Sequence, residues 1–174
     1  HRVIIVAPSE GEDLRAEGWG YRHRERVLHL AMIDEVARSH PIDRDRVVVM
    51  GWSRGGHASF DLAMRYPDRF AGAGPIIGSI PLRDRALLVN PSTVALFAIN
   101  GGRDQPELVA GARQAVARLR ELRYPVQAIM DEEQGHAMFG ERLPELVAGL
   151  AAARRDLTPR DYTFATYDLA YDRR

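Results

Sequence analysis

Three residue types that together activate an alcohol for attack on a carbonyl group occur in the order Ser53, Asp104, His136. A serine hydroxyl is a poor nucleophile until a base removes its proton, and the base needs an acidic group to orient it. Each of the three residues follows a predicted strand, and serine, then aspartate, then histidine is the expected chain order for such a set at the ends of parallel strands. The pattern predicts Ser53 as nucleophile, His136 as base and Asp104 as orienting carboxylate.

Ser53 lies in the pattern Gly-Trp-Ser-Arg-Gly at residues 51–55, directly after the apolar run at residues 47–50. A serine on a sharp turn between a strand and a helix has a strained backbone. We therefore expect Gly51 and Gly55 to be required, because bulk at either position should collide with neighbouring backbone. The following helix directs its positive end at the hydroxyl, where negative charge develops. The alternative is a glycine-rich turn with a helix-capping serine.

Each of the other two residues also has a structural alternative. Asp104 follows a Gly-Gly turn and precedes a predicted helix, so it is also a candidate turn or capping residue. His136 is also a candidate for a local hydrogen bond. His57 is the main rival base, but it lies one helical turn beyond Ser53, and we expect its side chain to point away from the hydroxyl. The six histidines show no His-Glu-x-x-His spacing, so we predict no metal site and no cofactor.

The elements that must position these residues alternate between strands and helices. This alternation predicts an α/β fold, a three-layer sandwich with a mostly parallel central sheet. The main domain is predicted over residues 1–158, and residues 159–174 form a tail that adds an edge strand, contacts a partner or is loosely attached. The predicted strands cover residues 3–7, 47–50, 70–78, 93–100 and 126–130, and the predicted helices cover residues 21–39, 54–65, 107–122 and 141–155, with a short helix or irregular segment at 81–90.

The composition excludes several classes of function. The 174 residues carry 24 basic and 24 acidic groups, so a nucleic-acid-binding face is not expected. Without cysteine, the chain has no disulfides and no thiolate chemistry, and without lysine it has no Schiff-base or Ser-Lys chemistry. No apolar run approaches the roughly 18–20 residues of a membrane span, and no signal-peptide pattern opens the sequence. The compartment stays undetermined.

Five short motifs resemble the α/β-hydrolase superfamily, and within it the esterase branch of feruloyl-esterase-like, polyhydroxybutyrate-depolymerase-like and phospholipase/carboxylesterase-like proteins. These are the Ile-Asp-Arg-Asp-Arg-Val lead-in at 42–47, the elbow at 51–56, the Tyr-Pro-Asp-Arg-Phe-Ala exit at 66–71, and the Asn-Gly-Gly-Arg-Asp and Gly-His loops at 100–104 and 135–136. The resemblance extends over residues 2–155 and leaves the tail unmatched.

The resemblance implies a serine hydrolase that cleaves small-molecule carboxylic esters through an acyl-enzyme. It assigns one oxyanion donor to the backbone N–H of Arg54. Trp19 and Trp52, with Met138 and Phe139, flank the predicted site and either line an apolar acyl pocket or serve packing. Arg54 and Arg103 beside the site suggest a polar or anionic substrate.

One feature departs from the family pattern, because no His-Gly pair precedes Ser53. In the family that pair follows a strand and supplies the second oxyanion donor. Losing one such donor typically costs about 10²–10³ in rate. Residues 3–7 are interpreted as the next strand, which leaves a sheet of about five strands. Three explanations for the missing donor are possible. The chain is a fragment of a longer protein, residues Ser9–Gly11 supply the donor, or a partner chain or homo-oligomer supplies it. A prolyl-oligopeptidase-type peptidase and a non-catalytic module are the alternative functions.

Overall fold

The computed structural model describes residues 3–8 and 19–167. The chain divides into two compact units, His1–Arg44 and Asp45–Arg174. In the described ranges, no helix combines the length and the apolar character that crossing a membrane requires.

The described part of the first unit is dominated by one helix, α1, His23–Ser39. Glu25 organises its start, because the carboxylate accepts the backbone N–H of Arg22 at 2.8 Å and that of Gly20 at 3.1 Å. Two N–H groups at the helix entrance are thereby satisfied, which is the role of a capping carboxylate. The helix begins two residues later than predicted.

The second unit is built on a sheet of four parallel strands in the order β1-β2-β3-β4. The strands are β1 Val48–Trp52, β2 Gly72–Ile76, β3 Ala95–Gly101 and β4 Val126–Asp131. The helices are α2 Arg54–Arg65, α3 Pro106–Glu121 and α4 Leu143–Ala152, and short 3₁₀ helices lie at Arg44–Arg46, Leu82–Val89 and Gly140–Arg142.

Two apolar clusters cover the two faces of the sheet. Phe60 and Met64 of α2 pack with Leu119 of α3 in the first cluster. Leu146 and Leu150 of α4 pack in the second, against residues of β3 that point to the opposite face. Successive strand residues point to opposite faces, so each strand contributes to both clusters. The three-layer α/β sandwich with a parallel sheet is confirmed.

The strand predicted over residues 3–7 is wrong. Val3, Ile4, Ile5 and Val6 are exposed, and residues 3–8 take no part in the sheet. The described sheet therefore has four strands, not about five. An apolar, β-branched run favours extended backbone, but a strand is stabilised by its paired neighbours, and these residues have none in the described sheet.

The tail is attached through a buried amide rather than by strand pairing. Residues 161–167 contain no strand, and residues 168–174 lie outside the described part of the chain. Asn90 is fully buried, and its Nδ2 donates to the carbonyls of Met64 (2.8 Å) and Ala165 (2.9 Å). The N–H of Ala165 in turn donates to Asn90 Oδ1 at 2.7 Å. The predicted edge strand is therefore absent from the described residues of the tail.

Candidate active site

Ser53 occupies a strained turn between β1 and α2. Its backbone has φ 54° and ψ −111°, a region that residues with a side chain seldom adopt. The surrounding structure enforces this conformation, since the Ser53 N–H donates to the carbonyl of Ile76 in β2 at 2.9 Å. The Ser53 carbonyl accepts the His57 N–H at 3.0 Å as α2 begins. Strain of this kind persists only where the neighbouring structure overdetermines it.

The glycines around the turn differ in what they permit. A Cβ atom on Gly51 lies 2.7 Å from the Cα of Gly55, so a side chain at Gly51 collides with backbone, as expected. A Cβ on Gly55 meets nothing within 4 Å, so the expected collision there is wrong. The tighter position is Gly56, whose Cβ lies 2.3 Å from the carbonyl oxygen of Ile76. Close approach of α2 to β1 therefore depends on Gly51, and close approach of α2 to the end of β2 depends on Gly56.

The three residues singled out in the sequence meet in one hydrogen-bonded chain. Ser53 Oγ lies 2.8 Å from His136 Nε2, and His136 Nδ1 lies 2.8 Å from Asp104 Oδ2. With the imidazole proton on Nδ1, the ring donates to the carboxylate and accepts from the hydroxyl. An imidazole in this position can remove the hydroxyl proton while the carboxylate stabilises the resulting positive charge.

The carboxylate of Asp104 is fixed on both oxygens. Its Oδ1 accepts the backbone N–H of Gln105 at 2.7 Å, and its Oδ2 faces His136. Only 5% of the Asp104 side chain is exposed, whereas 38% of the His136 side chain is. The structural alternative for Asp104 is thus partly realised, because the aspartate also holds the turn before α3. Both roles use different oxygens and do not compete.

His136 lies in an irregular segment, residues 132–139, which we call the base loop. Its first half is held against the end of β3: the Arg103 N–H donates to the carbonyl of Gln134 at 2.8 Å. A Cβ on Gly101 lies 2.1 Å from the carbonyl oxygen of Gly135, so only glycine permits this approach. Phe139 ends the loop with φ 54° and a buried ring. The base loop is therefore anchored at both ends, with His136 between.

Trp52 contacts the base loop from β1. Its indole Nε1–H donates to the carbonyl of Ala137 at 3.0 Å. Its ring also meets the imidazole of His136 edge to face, with centroids 5.4 Å apart and an interplanar angle of 67°. About 40% of Trp52 is exposed. The sequence placed Trp52 beside the serine but gave no signal for its contact with the histidine 84 positions later.

His57, the rival base, is engaged elsewhere. Its Nδ1 lies 3.1 Å from the carbonyl oxygen and 3.2 Å from the nitrogen of Ser79, in the segment after β2. Burial lowers the pKa of His57, and the charge of His136 acts in the same direction; the Ser79 carbonyl and the charge of Asp104 oppose them. Burial disfavours the charged form and therefore favours the neutral imidazole of His57.

The remaining predicted site residues have different surroundings. Arg54 is the first residue of α2, so its N–H lies at the end of the helix that adjoins Ser53. Arg103 is exposed and pairs with Glu133. Phe139 is buried in the apolar cluster of α4, whereas Met138 is exposed. Trp19 packs edge to face against Tyr21 and His29 of the first unit.

The sequence also led to expectations about a second oxyanion donor and about a metal site. Ser9–Gly11, named as one source of a second oxyanion donor, lies outside the described residues. Within residues 3–8 and 19–167, no group of three or more histidine or acidic side chains is arranged to hold a metal ion. Sequence reasoning also missed Gln105 and Gly101, which act through backbone proximity and carry no signal in residue type.

Comparison with known proteins gives a family and a fold. The family model Esterase, described as "Putative esterase", matches residues 2–115. Among curated proteins, the poly(3-hydroxyalkanoate) depolymerase C of Paucimonas lemoignei is 47% identical over 47 residues, which are 27% of this chain and 11% of that protein. The family model therefore matches most of the chain, while the chain spans only a small part of this curated relative.

Solved structures extend the likeness beyond the matched motifs. The carboxylesterase of Bacillus cereus superposes with a TM-score of 0.60 at 21% identity, over 78% of this chain and 66% of that one. The S-formylglutathione hydrolase of Staphylococcus aureus superposes with a TM-score of 0.59 at 18% identity, over 74% and 60%. At these identities the likeness concerns the fold, and the chain spans about two thirds or less of each. Together with the match of the family model, the fold leads to one conclusion: this chain belongs to the Esterase family and has the α/β-hydrolase fold.

Proposed function

We propose that the protein is a serine hydrolase that cleaves carboxylic esters of small molecules through an acyl-enzyme intermediate. The observation that carries the proposal is the hydrogen-bonded chain from Ser53 Oγ through both nitrogens of His136 to Asp104, with 2.8 Å at each step. Membership of the Esterase family supports the choice of ester substrates. No cofactor is needed for this chemistry.

In the acylation step, Ser53 Oγ attacks the carbonyl carbon of the ester while His136 Nε2 accepts the hydroxyl proton. The carbonyl π electrons move to oxygen, and the N–H of Arg54 at the start of α2 stabilises the resulting oxyanion. When the C–O bond of the ester breaks, His136 returns the proton to the departing alcohol. Asp104 holds the ring in the tautomer that keeps Nε2 free to accept.

In the deacylation step, water takes the place of the alcohol. His136 accepts a proton from water as its oxygen attacks the acyl carbon, and the same proton then returns to Ser53 as the acid leaves. The strained backbone of Ser53 supports this assignment, because strain at a serine between a strand and a helix is typical of exposed nucleophiles. The enzyme regains its starting protonation state at the end of each cycle.

The test compares Ser53→Ala with Ser39→Ala in the protein at its natural full length, using p-nitrophenyl acetate and butyrate. Ser39 is an exposed residue on α1 whose hydroxyl caps local carbonyls, so it controls for loss of a serine. We expect Ser53→Ala to lower kcat by about 10⁴-fold or more, since the nucleophile is lost. A fluorophosphonate should label the natural protein and Ser39→Ala but not Ser53→Ala. Undiminished turnover by Ser53→Ala contradicts the proposal.

A further inference from the structure

The proposed nucleophile and the proposed base follow strands at opposite edges of the described sheet. Ser53 follows β1 and His136 follows β4, and these are the outer strands of the described sheet. Neighbouring strands lie about 4.8 Å apart, so three strand spacings separate β1 and β4 by roughly 14 Å. The base loop must therefore extend back across the carboxyl ends of β3 and β2 to bring the imidazole 2.8 Å from Ser53 Oγ.

The base loop is anchored at both ends, and its middle also packs through Ala137 against the second apolar cluster and meets Asp104 through His136 Nδ1. The Arg103 N–H and the close approach of Gly101 fix residues 134 and 135 beside β3. The buried ring of Phe139 fixes the far end. His136 and Ala137 lie between these anchors, at the point where the loop reaches Ser53, and the Ala137 N–H turns back on the carbonyl of Gly135 at 2.9 Å.

Trp52 holds this middle part from the β1 side. It is the last residue of β1 and directly precedes Ser53, so its position is tied to that of the nucleophile. The indole N–H binds the carbonyl of Ala137 at 3.0 Å, and the ring lies against the imidazole of His136. Indole nitrogen can only donate, and a carbonyl can only accept, so this contact has one chemically allowed sense.

We infer that Trp52 is a positioning residue for His136: it links the strand that carries the nucleophile to the loop that carries the base, and so sets the distance between Ser53 Oγ and His136 Nε2. The inference rests on the proposed function. It differs from the expectation that Trp52 lines an acyl pocket, because a pocket wall contacts substrate and acts on KM. A positioning residue acts on the chemical step, whose rate can fall about 10²-fold when a reacting group moves by 1 Å.

The test is Trp52→Phe, made in the protein at its natural full length. Phenylalanine keeps a ring beside His136 but cannot donate to the carbonyl of Ala137. We expect kcat to fall about fivefold, in line with the loss of one hydrogen bond, with KM and the melting temperature unchanged. Trp52→Ala, which removes ring and donor, should lower kcat about 10²-fold. For each variant, the fold-decrease in kcat should be the same with p-nitrophenyl acetate as with p-nitrophenyl butyrate.

Tyr167→Phe is the matched control. Tyr167 is an exposed aromatic residue whose hydroxyl donates to the carbonyl of Arg83 at 2.6 Å, so its substitution also removes one aromatic donor to a backbone carbonyl. It should leave kcat unchanged. The inference is overturned if Trp52→Phe keeps the natural kcat, or if its loss appears in KM and varies with acyl length, since the latter result assigns Trp52 to the substrate pocket.

A second measurement is made on the natural protein, with Trp52→Phe used only to assign one signal. In the natural protein, the indole N–H of Trp52 should exchange with solvent more slowly than an unbonded indole N–H, and its NMR signal is assigned by its loss in Trp52→Phe. Rapid exchange overturns the inference even if the substitutions prove uninformative. This readout is independent of turnover. An inactive natural protein contradicts the proposed function and leaves the exchange measurement to decide on Trp52.

Discussion

Ser53 and His136, the proposed nucleophile and the proposed base, are held by two segments of different construction. The elbow, residues 51–56, joins a strand to a helix, and its conformation is fixed by backbone packed against β2. The base loop has no regular structure, and discrete contacts from Arg103, Gly101 and Trp52 hold it. The position of Ser53 thus depends on packing within the core, whereas the position of His136 depends on contacts that hold an irregular loop.

Because of this difference, substitutions in the elbow and in the base loop should affect different quantities. At the elbow, a side chain that does not fit must displace β2 or α2, both of which belong to the apolar core, so the free energy of unfolding should fall. In the base loop, a misfit can be relieved by moving the loop, which leaves the core intact but moves His136. We therefore expect elbow substitutions to affect stability first, and base-loop substitutions to affect turnover first.

The largest effect is expected for Gly56→Ala at the elbow. Its Cβ lies 2.3 Å from the Ile76 carbonyl oxygen and 2.9 Å from that of Ile77, both backbone atoms. We expect the free energy of unfolding to fall by about 3 kcal/mol or more, measured by urea denaturation. Gly55→Ala is the control, since a Cβ there meets nothing within 4 Å and alanine suits a helix. Equal free energies of unfolding for Gly56→Ala and Gly55→Ala contradict the expectation that a misfit at the elbow lowers stability.

The next effect is expected for Gly101→Ala, which acts on the base loop. A Cβ at this position lies 2.1 Å from the Gly135 carbonyl oxygen and 2.6 Å from that of Gln134. The loop must move away, and with it His136, so kcat should fall about 10²-fold while the protein remains folded. Steady-state kinetics and a melting curve measure the two quantities. A large loss of stability with normal specific activity contradicts the assignment of this contact to the loop.

The smallest effect on stability is expected from substitution of His57, which lies on α2. Burial lowers the pKa of His57 in the folded state, so below the ordinary histidine pKa the unfolded chain binds a proton that the folded chain does not. Stability from this source is full above the ordinary histidine pKa and is lost as pH falls from that value through the lowered pKa of the folded state. His57→Gln should therefore weaken the decline in unfolding free energy between pH 7.5 and 5.5.

The control for that experiment is His40→Gln, at an exposed position just beyond the end of α1. The same measurement on His40→Gln shows what removal of an exposed histidine does by itself. An unchanged decline in His57→Gln, measured by urea denaturation at both pH values, indicates that His57 is not the group responsible.

The sequence was sufficient for the elements that patterns of apolar residues encode. The elbow strand, α2 and α3 lie within a few residues of their predicted bounds because their patterns of apolar residues are local signals. The strand at residues 3–7 failed because pairing is not a local property. An apolar run in sequence looks the same whether or not a neighbour is present.

The candidate site was predictable to a similar degree. Residue types and chain order brought Ser53, Asp104 and His136 together, because parallel strands end at one edge of the sheet. The contact of Trp52 with Ala137 was not predictable, since it depends on how far the base loop extends back. The steric freedom of Gly55 was equally hidden, because motif glycines look alike in sequence and differ only in what surrounds them.

The Ser53 hydroxyl follows one outer strand of the described sheet and the His136 imidazole follows the other, which has a practical consequence. Any event that parts β2 from β3, or loosens either flanking pair, separates the reacting groups even when every individual element survives. Turnover is therefore a report on the assembly of the whole sheet. During heating or denaturant titration, it should vanish no later than the spectroscopic signals of the individual helices.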